Sequence, residues 1–97
     1  MYAAIRQGKI KPGMVEEAAG LAREGALPMI RATRGFKAYY MIAAEDNTAT
    51  VVTIFEDKAA AEESNQAILV WLRENMASLF EGQPMSLTGD VLIHEEV

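Results

Sequence analysis

Residues 35–44 and 49–55 carry strand-type side chains but too little polar alternation for strands with one wet face. A half-buried strand alternates apolar and polar residues at period two, because successive side chains point to opposite faces. Here Tyr39, Tyr40, Met41 and Ile42, and then Val51, Val52, Ile54 and Phe55, place apolar groups on both faces. Such a sheet needs cover on both sides. The rest of the chain supplies only two convincing helices, which an α+β sheet carries on one side. A second copy of the chain is the economical cover for the other, so a homodimer is expected.

The flanking segments set the order of elements. Residues 2–9 read as a first strand, with Tyr2, Ala4 and Arg6 on one face and Ala3, Ile5 and Gln7 on the other. Pro12 suits a first helical turn, and Val15, Ala18, Ala19, Ala22 and Ala26 follow at helical spacing. Gly20 and Gly25 weaken that helix by up to about 1 kcal/mol each if interior. Pro28 is expected to stop or bend it, leaving a short irregular link to Arg34 and Gly35.

Residues 45–48 form a polar turn of hairpin length, and Asp57 is placed to cap a second helix. No glycine or proline interrupts residues 58–80, so a long helix is expected there, ended by Gly82 and Pro84. Residues 85–95 read as a last strand with Met85, Leu87, Val91 and Ile93 on one side. The predicted order is β-α-β-β-α-β, an α+β, ferredoxin-like pattern with a four-stranded antiparallel sheet. Right-handed crossovers put both helices on one face of it. Residues 1–97 are read as a single domain.

Fourteen acids against nine bases, a net charge of -5, argue against a nucleic-acid partner. The absence of cysteine removes disulfides, thiolate catalysis and cysteine-built metal sites. No 18-residue apolar span and no signal-like N-terminal pattern occur, so no membrane partner is expected and a cytoplasmic location is. There is no phosphate loop, dinucleotide fingerprint or serine-nucleophile motif. One histidine without metal-ligand spacing around it gives no reason to expect a metal.

A few residues remain that carry chemistry. Arg6 lies on a strand face, where a guanidinium is costly to bury unless paired. Tyr39 and Tyr40 are neighbours, so one faces the helices and the other the presumed partner subunit. Trp71 stands in the apolar run of residues 68–72, either as packing or as a surface for a flat ligand. Asn65 is an amide near that apolar face, and Arg34 enters the second strand. His94, beside Glu95 and Glu96, reads either as a surface histidine or as a general base.

The strand Tyr2-Ala3-Ala4-Ile5-Arg6, Lys11-Pro12-Gly13 ahead of a helix, Gly35-Phe36, Val52-Thr53-Ile54-Phe55-Glu56-Asp57, and Ala59-Ala60-Ala61-Glu62 extend this pattern. Together, residues 2–96 resemble the antibiotic biosynthesis monooxygenase-like domain of the dimeric α+β barrel superfamily. The resemblance implies a homodimer whose two sheets close into a barrel, with a ligand cavity between each sheet and its helices. It also implies a monooxygenase that converts a small phenolic, polyketide- or quinol-like aromatic to a quinone without metal, flavin or other cofactor. In that case Trp71, Asn65 and Arg6 are the catalytic candidates, and Tyr39, Tyr40, Arg34 and His94 the substrate-binding ones. Heme-degrading relatives carry a histidine on the second helix, and residues 58–80 have none. Two alternatives stand beside this reading: a non-catalytic dimer that binds a small ligand or regulates a partner, and a polyketide-like isomerase or cyclase using His94 or Asp90 as base.

Overall fold

In the computed structural model, which describes residues 1–97, the first strand β1 (Tyr2–Ile10) occupies the interior of the sheet. It pairs antiparallel with β3 (Thr48–Phe55) on one side and β4 (Phe80–Asp90) on the other, and β2 (Phe36–Ala43) completes the edge beside β3. The β1–β2 connection is a helical rod: α1 (Val15–Leu21), a π-helical turn (Ala22–Ala26) and α2 (Leu27–Arg31). The β3–β4 connection is α3 (Lys58–Asn75) followed by a 3-10 turn (Ala77–Leu79). This is the ferredoxin-like β-α-β-β-α-β order expected from the sequence.

Local chemistry fixes several boundaries. Asp57 accepts a hydrogen bond from the Ala60 N–H at 2.9 Å and caps α3. In the β2–β3 hairpin, Asp46 accepts from the Thr48 N–H at 3.0 Å, which pulls its carboxyl below the ordinary value. Asn47 there adopts φ 70°, a left-handed conformation that asparagine tolerates.

Three expected boundaries are corrected. The first connection remains helical through Pro28 to Arg31, and the proline follows directly on the π-helical turn, a local change of helical register that accompanies a missing backbone donor. α3 ends at Asn75 rather than near Phe80. Burial of Met76 and Leu79, and pairing of Ile10 with Phe80 and Lys9 with Glu81, outweigh the helix propensity of residues 76–80. The last strand ends at Asp90 rather than residue 95. Val91 still donates to the Met1 carbonyl at 3.0 Å, but no strand of this chain continues alongside residues 92–97.

Two apolar clusters join the helices to the sheet. One comprises Ala4, Ala26, Ile30, Phe55, Ala60, Ala61 and Ile68; the other Ile10, Ala18, Ala49, Met76 and Leu79. The alanines bring the rod and α3 close to the strands, and Trp71 and Leu72 pack against both clusters. Gly25 makes room for this: a Cβ there would stand 2.7 Å from Trp71 Cε2.

The opposite sheet face has no helix. Register sets Tyr40, Val52, Ile5 and Leu87 in one row across all four strands. Tyr40 is 57 % exposed, Ile42 55 %, and Met85 and Leu87 50 % each. The pair of tyrosines is thereby divided: Tyr40 belongs to this open face, and Tyr39 packs against the core. No helix is long and apolar enough to cross a membrane.

Candidate functional site

Strand pleat and register place Met41, Val51, Arg6 and Ser86 in a second row, on the helix side of the sheet. All four line a cleft of about 440 Å³ between sheet and helix, with Leu69, Leu72 and Arg73 of α3 as its facing wall. Phe80 closes one end near the irregularity in β1–β4 pairing, where Gly8 admits the ring.

Arg6 is the polar centre of this arrangement. Its Nη2 donates to Asn65 Oδ1 at 2.7 Å, while its Nε is buried without a hydrogen-bond partner. The ion pairs of the molecule are Lys9–Asp46, Arg34–Asp57, Lys58–Glu62 and His94–Glu96. None involves Arg6, so its charge is satisfied by a neutral amide alone. Burial holds its pKa below the ordinary guanidinium value, with Tyr39 acting in the opposite sense. An arginine still stays protonated at neutral pH.

Tyr39 borders a smaller cavity of about 40 Å³ that Arg6 also lines. Burial pushes its phenol above the ordinary value, against the opposing influence of Arg6, which keeps the hydroxyl protonated and able to donate. Across the strand pair stands Thr53, whose buried Oγ1 has no partner. Of these groups Arg6 alone lines the cleft; Asn65 holds it from behind and Tyr39 shares the smaller cavity with it. A guanidinium on an apolar wall can stabilise an oxyanion.

The sequence-predicted residues separate cleanly. Arg6, Asn65 and Tyr39 come together. Asn65 and Trp71 stand behind the cleft lining rather than in it: Asn65 holds Arg6, and Trp71 packs on the core and Gly25. Tyr40 is on the open face. Arg34 pairs with Asp57 at 3.7 Å, and His94 with Glu96 at 2.9 Å; neither lines the cleft. Leu69 and Leu72 belong to the apolar run 68–72 that the sequence sets apart, but sequence reasoning missed Arg73, although its i,i+4 spacing from Leu69 puts the two on one helix face. It also missed Phe80 and Gln83, which fall where the helix was expected to end.

No protein-family model matches the sequence, and no curated protein matches it. Solved structures do. A Nitrosomonas europaea protein of unknown function is 25 % identical, with a TM-score of 0.80 over 99 % of this chain and 93 % of that one. A monooxygenase from the Streptomyces coelicolor gene ActVA-Orf6, in complex with Nanaomycin D, is 25 % identical, with a TM-score of 0.74 over 96 % of this chain and 92 % of that one. SnoaB, a cofactor-independent oxygenase from Streptomyces nogalater, is 11 % identical, with a TM-score of 0.76 over 96 % of this chain and 94 % of that one.

Proposed function

We propose, from the premise that this chain has the antibiotic biosynthesis monooxygenase-like fold, that its cleft binds a small phenolic aromatic and oxygenates it to a quinone with O2 and no cofactor. The observation that carries this reading is Arg6, a guanidinium with no carboxylate partner on the floor of a largely apolar cleft. A positive charge there lowers the pKa of a bound phenol and holds the phenolate. Asn65 orients the guanidinium, and Tyr39 lines the smaller adjoining cavity with Arg6. The cofactor-independent oxygenase and the Nanaomycin D complex among the structural relatives support the reaction class.

The chemistry then belongs to substrate and oxygen. An electron-rich phenolate ring passes one electron to O2, and the resulting radical pair combines to form a carbon–oxygen bond. Proton uptake gives a ring hydroperoxide. Its O–O bond breaks as the hydrogen on the same carbon leaves, giving a carbonyl and one water. One oxygen atom ends on the ring and the other in water, so O2 is the only oxidant. The apolar walls protect the radical pair from bulk water.

The same reading includes a homodimer formed through the open sheet face. The row Tyr40, Val52, Ile5 and Leu87 is self-complementary in character, as a two-fold contact requires. An ordinary interface covers roughly 800 Å² on each partner, and apolar area contributes about 25 cal/mol per Å². The apolar part of such an area works against an association cost of about 4–15 kcal/mol.

Isotope labelling tests the reaction. Under 18O2 the quinone is expected to gain one heavy oxygen, and under H2(18)O none beyond exchange. A phenol that binds and is recovered unchanged supports the ligand-binding alternative instead. The isomerase reading has less support, because neither His94 nor Asp90 lines the cleft.

A further inference from the structure

The geometry points to a substrate that carries a carboxylate in addition to its phenol, held by Arg73 at the cleft wall while Arg6 receives the phenolic oxygen. This rests on the oxygenase reading above for the second group, the phenol. The charge distribution argues for the first. In a chain with fourteen acids and nine bases, the fifteen residues that line the cleft include two arginines and no aspartate or glutamate. The remaining polar side chains there, Gln7, Gln83 and Ser86, are neutral.

Arg73 has no ion-pair partner. On α3 its neighbours three and four residues back are Leu69 and Val70, and the residues three and four positions on, past the helix end, are Met76 and Ala77, so no acid stands at these spacings. The helix dipole accounts for a cation in the last turn of α3. It does not account for placing that cation on the Leu69 and Leu72 face, above a second unneutralised arginine.

A guanidinium presents a planar fork that matches a carboxylate in two parallel hydrogen bonds. The cleft has no lysine among its lining residues, and its apolar surface suits a ring. An aromatic hydroxy-acid satisfies all three features at once: ring on Leu69, Leu72 and Val51, phenolic oxygen toward Arg6, carboxylate toward Arg73.

Calorimetric titration of the intact protein with 6-hydroxy-2-naphthoic acid, whose phenol and carboxylate stand at opposite ends of the ring system, and with its methyl ester tests this. The acid is expected to bind at least about tenfold more tightly than the ester, a ratio worth about 1.4 kcal/mol. That preference should shrink as NaCl rises from about 0.05 to 0.5 M, since Arg73 is exposed to screening ions. Arg73→Gln is expected to bring the acid-to-ester ratio below about three, and Arg73→Lys to leave an intermediate ratio by keeping charge without the fork. Equal affinities in the wild type, a tighter ester, or no binding of the acid at 1 mM would overturn the proposal. So would an unchanged ratio in Arg73→Gln.

The two readings fail separately. Oxygenation of neutral phenols without preference for the acid removes the carboxylate site and leaves the oxygenase. Preferential binding of the acid without oxygenation of any phenol removes the oxygenase and leaves the charged site.

Discussion

Arg6 and Asn65 join the interior strand to the middle of α3 through a 2.7 Å hydrogen bond whose acceptor is a neutral amide. A carboxylate in the same place would satisfy the guanidinium more fully and also cancel its charge. The amide fixes the direction of Arg6 without cancelling its charge. Under the proposed function that charge meets a phenolate, so stability and function make opposite demands at position 65.

That opposition is measurable. Asn65→Asp is expected to keep or raise stability in urea titration, because it supplies an ion pair, while phenolate binding or turnover falls at least about tenfold. Asn65→Ala leaves a buried donor unpaired and should cost about 1–3 kcal/mol. An Asn65→Asp protein with undiminished substrate handling would contradict the assigned role of Arg6.

Gly25 and Trp71 form a second dependent pair. Alanine at position 25 should stabilise a helix by about 1 kcal/mol on propensity alone. Its Cβ would instead press into the indole, so Gly25→Ala is expected to lose about 1–3 kcal/mol through overpacking. Combining it with Trp71→Leu should recover part of that loss in a double-mutant cycle. Additive losses would show that the two positions do not meet as described.

The open sheet face gives an assembly prediction. Tyr40→Glu and Leu87→Glu each place a charge at one end of the exposed apolar row, on the edge strands β2 and β4. Either change should convert a species of about twice the chain mass of 10.6 kDa to one of that mass in sedimentation, with its circular dichroism unchanged. A wild-type monomer at micromolar concentration would remove the dimer.

Burial raises the Tyr39 pKa in the folded state. The unfolded chain then releases that proton at lower pH than the folded one, so the contribution of Tyr39 to stability is complete below about pH 10 and falls as pH rises beyond it. Between pH 9 and 11, wild-type protein should lose more stability than Tyr39→Phe. Parallel losses in the two proteins would place Tyr39 in a solvated setting.

The fold was legible because its cause is local. Strand-type residues without full alternation, an aspartate cap before an uninterrupted helical segment, and a polar hairpin each announce themselves over a few positions. Arg6 and Tyr39 were legible as candidates because a strand interior exposes an expensive polar group. Their meeting with Asn65 was not, since it depends on which tyrosine faces the helices and on the rotation of α3. The boundary at Phe80 was hidden for a related reason. Its strand identity comes from pairing with Ile10, seventy residues away, and not from its own neighbours. Arg73 was overlooked because a cation in the last helical turn looks ordinary until the opposite wall of its cleft is known.

Oxygen uptake by wild-type protein and Arg6→Gln, with 1,8-dihydroxyanthrone in chelator-treated buffer, bears on the whole account. Wild-type protein should consume one O2 per anthrone converted to quinone, well above the buffer rate. Arg6→Gln, folded by circular dichroism, should be slower by about a hundredfold, the order of loss when a donor to a developing oxyanion is removed. Uptake no faster than buffer across a panel of anthrones and dihydroxynaphthalenes, or equal rates in the two proteins, would contradict it.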